Sequence, residues 1–179
     1  MDSGDLPYDG LHLLVADVAA LGGAVGWLSV PDRAEVAAHF DGVLAKGARL
    51  AVVEEGDRIL ASAYWHRWQG AVLQHNAVLS KLMTASDARG RGLGREVTQA
   101  VIDDARAAGM EVLTLDCRGN NHGALRLYES LGFVVSGRRP DFIAVAHERF
   151  DQVLLHLDLR SGTEPLQRHG GRREGPGLT

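Results

Sequence analysis

Residues 86–95, SDARGRGLGR, set Arg89, Arg91 and Arg95 around Gly90, Gly92 and Gly94. The residues just before them, KLMT, read as the end of a strand, and after them Leu93, Val97, Val101, Ala105 and Ala108 recur at helical spacing. A glycine-rich turn between a strand and a helix is built to hold an anion. Glycine reaches backbone conformations closed to other residues and lets amides come close to a bound group. The first amides of the helix have no partner within it, and the aligned peptide dipoles make that end positive. Spacing excludes two common anions. The dinucleotide fingerprint G-x-G-x-x-G would need glycine where Arg95 or Val97 stands, and the triphosphate loop needs a Gly-Lys-Ser/Thr that occurs nowhere in the chain. The eight histidines show no H-E-x-x-H or comparable ligand spacing, so no metal is expected. Cys117, the one cysteine, ends a strand-like run and reads as a small buried residue rather than a nucleophile.

The pattern Arg89-x-x-Gly92-x-Gly94 resembles the coenzyme A pyrophosphate loop of the GCN5-related N-acetyltransferase (GNAT) family, Arg/Gln-x-x-Gly-x-Gly/Ala. A second segment, Asn121, Ala124, Leu127, Tyr128, Gly132 and Phe133, is similar to that family's Asn-x-x-Ala-x-x-Leu-Tyr-x-x-x-Gly-Phe at every defined position. More weakly, LGGAVGWL and SKLMTASDARGRGLG resemble the tabtoxin resistance acetyltransferase subgroup. The resemblance implies transfer of an acetyl group from acetyl-CoA to a primary amine by direct attack in a ternary complex. Acetyl-CoA would be held by the backbone of Leu82, Met83 and Thr84, by the loop Arg89, Gly90, Arg91, Gly92, Leu93, Gly94 and Arg95, and by Asn121 and Ala124. Tyr128 would be the general acid at the sulfur, because a phenol is protonated at neutral pH and close in acidity to a thiol. The general base stays open between Asp116, ranked first, His66, His75 and a water chain. Trp27 is either a substrate contact or a cap on the core. The subgroup implies a small-molecule amine as acceptor; a protein amine, or acetyl-CoA sensing without transfer, are the alternatives. The chain departs from the family's pattern at Ser86, commonly proline, and at Thr84, usually valine.

These residues need a scaffold, and composition bounds it. With 179 residues, 45% of them apolar, the chain can bury one core, and a single domain over residues 1–160 is expected. A net charge of −4 argues against a nucleic-acid partner. No apolar run approaches the roughly 18 residues of a membrane span, and the start lacks a signal-peptide pattern. One cysteine excludes an internal disulfide and fits a reducing cytoplasm. Pairing of many family members through their last strands makes a homodimer an open possibility.

Leu11, Leu14, Val15, Val18 and Leu21 predict a first helix stopped by Gly22 and Gly23; Asp32 with Glu35 opens a second that buries Val36, Phe40, Val43 and Leu44. Residues 49–55 and 58–66 alternate as a hairpin about Gly56 and Asp57. A central strand over 71–84, a helix from 93, a strand at 112–117 and a helix after Asn121 follow. Residues 133–137 and 150–159 close the fold as strands, with 138–149 a loop over the acceptor pocket in which Asp141 and Glu148 could form an acidic groove. Residues 161–179, rich in Gly, Arg and Pro, are expected to be disordered. The family opens with a strand, which residues 1–8 either supply raggedly or lack. The expected class is mixed α/β, a mostly antiparallel sheet of six or seven strands flanked by helices and splayed between two central strands.

Overall fold

The computed structural model describes residues 7–23, 26–27 and 29–160. The expected disordered tail at 161–179, and all but the end of the stretch considered for a first strand, lie outside them. Tyr8 already belongs to helix α1, Tyr8–Ala20, which buries Leu11, Leu14, Val15 and Val18 one or two turns apart. Helix α2, Arg33–Leu44, starts where Asp32 accepts from the Glu35 amide at 2.8 Å, and it buries Val36 and Phe40.

Strands β1, Arg49–Glu55, and β2, Arg58–Arg67, form the expected hairpin around Gly56. β3 is shorter than expected, Asn76–Thr84: residues 71–73 form a 3-10 turn after Gly70 (φ 108°), and the Val72 side chain is exposed. Helix α3, Leu93–Ala107, strand β4, Val112–Arg118, and helix α4, His122–Ser130, follow. The expected loop at 138–149 is instead strand. β5 runs Val134–Val145 and β6 Glu148–Asp158, a hairpin turning at Ala146. Its register shifts between Arg139 and Ile143, where Asp141 takes φ 52°. Asp141 and Glu148 are exposed on this hairpin and line no cavity with the rest of the site, so the acidic groove does not form.

The described strands make one sheet in the order β1-β2-β3-β4-β6-β5, antiparallel except for β3 beside β4. Adjacent strand residues point to opposite faces. Tyr64 meets His39 of α2, while Trp65 donates to Asp104 of α3 at 2.7 Å, so α2 covers one face and α3 the other. Residues 59–65 of β2 are consequently buried throughout. No described helix is long and apolar enough to cross a membrane.

Candidate active site

The two parallel strands pair for three residues only: Asn76 with Val112, Ala77 with Leu113 and Val78 with Thr114. Beyond these, β3 continues to Thr84 and β4 to Arg118 without meeting. β3 is also bent by a bulge. Between the pairs Tyr64–Ser80 and Ser62–Met83, Lys81 and Leu82 oppose Ala63 alone, and Lys81 takes φ 55°. A cleft of about 490 Å³ opens into the split. β3 contributes Ser80, Lys81 and Leu82 to its walls, β4 contributes Asp116 and Cys117, and α4 contributes Asn121, Ala124 and Tyr128. Ile143, Ala144 and Val145 of β5 close it on one side; Trp27, between α1 and α2, and Tyr64 close it on the other.

Of the residues expected around acetyl-CoA, the cleft thus gathers Leu82, Asn121, Ala124 and Tyr128, together with Trp27 and Asp116. Met83 and Thr84 do not line it. The Met83 side chain is in the core, and Thr84 packs against the start of α3, so only their backbone is available, as the resemblance requires. The glycine loop lies at the end of β3. Gly90 (φ 80°) and Gly92 (φ 84°) adopt the left-handed conformation. Gly94 is ordinary helix, and its lack of a side chain answers to space: a Cβ there would stand 3.3 Å from Thr84 Oγ1 and 3.5 Å from Leu127 Cδ2. The first turn of α3 is closed by the Arg95 amide donating to Gly92 at 3.0 Å, which leaves the amides of Leu93 and Gly94 ahead of it.

The three arginines differ in their partners. Arg91 pairs with Glu55 at 3.0 Å and Arg95 donates to the Ser130 hydroxyl at 2.6 Å, while Arg89 is exposed with no ion pair among the described residues. A contact that spacing could not show fixes the loop's entry. Ser86 donates through both its amide and its hydroxyl to Asp17 of α1, at 2.7 Å each. The residue that departs from the family's proline is therefore used for its N–H.

Tyr128 is 6% exposed and packs edge-on to Phe133, ring centroids 5.7 Å apart. Burial, then Cys117 and Asp116 nearby, push its phenol well above the ordinary value. Burial keeps it protonated at neutral pH and makes it a weaker acid than a free phenol. Burial first, then Asp116, push the Cys117 thiol up to about 11, so it is no thiolate nucleophile at neutral pH. Asn121 spends its carboxamide oxygen on the Ala124 amide at 3.2 Å, which caps α4 and leaves its NH2 for any ligand. Asp116 is exposed and accepts from Gln152 at 2.9 Å. His75 precedes β3 at the end paired with β4, away from the split, and His66 is turned to the Arg67 carbonyl.

The side of the cleft under α1 and α2 carries a group that pattern reading missed. The Lys81 ammonium stands 4.0 Å over the Trp27 ring, Trp27 meets His39 edge-on at 5.2 Å, and His39 Nε2 is 3.3 Å from the Tyr64 hydroxyl. Burial lowers the Lys81 value, and burial followed by the charge of Lys81 lowers that of His39. Trp27 therefore belongs to the cleft wall and also rests against the core. A larger hollow of about 870 Å³ beside β1 offers no comparable chemistry. Its Asp104 is tied to Arg49 and Trp65, and its Asp41 to Tyr8. No described cluster of His, Cys, Asp and Glu could hold a metal ion.

The profile of the acetyltransferase (GNAT) family matches residues 23–133, more than half of the chain. The chain belongs to that family. The match spans α2 to α4, and so includes the bulge, the split, the glycine loop and Tyr128. This acetyltransferase is 29% identical over 128 residues to the L-amino acid N-acyltransferase MnaT of Escherichia coli, covering 72% of this chain and 74% of the relative. It is 28% identical over 160 residues to the L-methionine sulfoximine/L-methionine sulfone acetyltransferase of Pseudomonas paraeruginosa, covering 88% and 92%. A phosphinothricin acetyltransferase from Sinorhizobium meliloti, solved in complex with AcCoA, superimposes with a TM-score of 0.75 over 92% of this chain and 91% of its own, at 19% identity. At that identity the likeness speaks for the fold.

Proposed function

We propose that this acetyltransferase moves an acetyl group from acetyl-CoA to the primary amine of a small carboxylate-bearing molecule, by direct attack with both substrates bound. The observation that carries this reading is the split sheet, with a glycine-opened helix start at its end and a tyrosine across it. The residues fit the carrier. The edge of β3 beyond Val78 offers backbone groups to a pantetheine arm, the amides of Leu93 and Gly94 offer donors to a diphosphate, and Arg89 adds charge. A thioester supplies an acyl carbon open to an amine and a thiolate as leaving group. The chain holds the reactants and manages charge. The Tyr128 hydroxyl donates to the sulfur, and because its acidity is suppressed it stabilises the growing charge chiefly as a hydrogen-bond donor.

Two observations favour a carboxylate on the acceptor. The relatives above are named for amino acids and amino-acid analogues, and the Lys81 ammonium stands in the cleft wall on the side away from α4. The reducing cytoplasm, where a lone cysteine stays a thiol, is the matching compartment. The test is thiol release from acetyl-CoA by the purified chain with L-amino acids, methionine sulfoximine, phosphinothricin, the matching amines without carboxylate, and short peptides. Turnover highest with carboxylate-bearing small amines is expected. Turnover with peptides alone would overturn the acceptor class, and carrier binding without turnover on any amine would overturn the enzyme reading.

A further inference from the structure

An amine is an ammonium ion at neutral pH and must lose a proton before it attacks. Among the described residues Asp116 is the single carboxylate in the cleft walls, and Gln152 holds it on the β4 side. The α1–α2 side has another proton acceptor. Tyr64 lines the cleft beside Lys81 and opposite Ser80, where the bulge of β3 begins. Its hydroxyl meets His39 Nε2 at 3.3 Å, and the His39 ring is braced edge-on by Trp27 at 5.2 Å and Phe40 at 5.3 Å. His39 is half-buried on α2, so the pair leads from the cleft to the surface.

Resting on the acetyltransferase reading, we propose that Tyr64 and His39 carry the proton from the acceptor to solvent. An acceptor ammonium in the cleft gives a proton to the Tyr64 oxygen as the Tyr64 hydroxyl gives its own to His39 Nε2. The amine is left with its lone pair, Tyr64 ends neutral as it began, and the imidazolium of His39 releases the proton to water. The groups that face His39 suit this task. Lys81 from β3 is the charge that acts on it, Tyr64 from β2 is its hydrogen-bond partner, and His66 lies beyond Tyr64, ring to ring at 6.3 Å. Burial and Lys81 hold the imidazole below its ordinary value, so it is neutral, and able to accept, at pH 7. Tyr64 touches the acceptor; His39 acts through it.

The test is kcat at saturating acetyl-CoA and acceptor from about pH 5 to pH 9, where the inflexion belongs to the loaded enzyme. For the unmodified chain kcat should fall on the acid side with an inflexion below that of a free imidazole. His39→Gln should lower kcat about 100-fold, abolish that inflexion and leave the KM for acetyl-CoA unchanged. Added imidazole should restore part of the loss in His39→Ala. Tyr64→Phe keeps the ring, should lower kcat similarly, and should raise the NMR titration midpoint of His39 by removing the donor to Nε2. Rates within about 2-fold in both variants, or a loss with the acid limb unchanged and no imidazole rescue, would overturn the relay. Failure of the unmodified chain to acetylate any amine is a separate outcome and would overturn the reading on which the relay rests.

Discussion

Lys81 holds φ 55°, a conformation that costs a residue with a side chain about 1–2 kcal/mol, at the bulge that opens the sheet. The same twist sets its ammonium over Trp27 and close to Gly26, where a Cβ would stand 2.9 Å from Nζ. A charge held this way can fix a carboxylate. Lys81→Met should raise the KM of carboxylate-bearing acceptors about 10- to 100-fold, the worth of a charge-assisted hydrogen bond, while amines without a carboxylate and acetyl-CoA change by less than about 2-fold. Equal loss for both classes of amine would make the lysine a structural strut. Tyr128→Phe keeps the ring against Phe133 and removes only the donor. It should lower kcat about 100-fold at unchanged acetyl-CoA affinity and melting temperature, and unchanged kcat would reduce the residue to packing. Tyr128 was legible because a motif of fixed spacing fixes its place on one helix. Lys81, His39 and Tyr64 were not, since two strands and a helix bring them together only on folding.

At the scale of elements, what could be read depended on periodicity. α3 announced itself through Leu93, Val97, Val101 and Ala105, all of which are buried, and the β1–β2 hairpin through its alternation about Gly56. The start of β5 was read as a strand, but its continuation past Gly137 and the start of β6 hid because Pro140, Asp141 and a register shift interrupt the alternation on which a strand is recognised. The tie between α1 and the entry to the glycine loop was hidden for another reason: Asp17 and Ser86 are both ordinary polar residues until they meet. Their two hydrogen bonds position the loop that presents the amides of Leu93 and Gly94. Asp17→Ala should therefore destabilise the fold by about 2 kcal/mol and also weaken acetyl-CoA binding about 10-fold. Ser86→Pro, which restores the family's residue, should do no better, because it deletes both donors and leaves the Asp17 carboxylate without them. Urea midpoints and the KM for acetyl-CoA give the two quantities separately; a stability loss at constant KM would confine the tie to the scaffold.

The molecule as a whole is a sheet in two parts, β1-β2-β3 and β4-β6-β5, joined edge to edge by three residue pairs. One side chain clips the joint: the Thr114 hydroxyl donates to the Ala77 carbonyl at 3.0 Å and accepts from Trp68 Nε1 at 3.1 Å. Past the joint, no described strand pairs with residues 79–84 on the side that faces β4. A carrier threaded through the split would supply that missing pairing and couple the two halves. At about 100 times its dissociation constant it would add about 2.7 kcal/mol of stability, a rise in melting temperature of about 5–10 °C for a chain of this size. Hydrogen exchange locates the effect. Threading predicts that amides in residues 79–84 and in the loop at 89–95 slow together when acetyl-CoA is added, whereas inorganic pyrophosphate slows the loop alone. Thr114→Val, which loosens the joint without filling the split, should speed exchange at Asn76, Ala77 and Val78 in the free chain, and acetyl-CoA should recover most of that protection. If acetyl-CoA protected the loop and left residues 79–84 as they were, the diphosphate would be bound with its arm outside the sheet, and neither Tyr128 nor Tyr64 could act on what it carries.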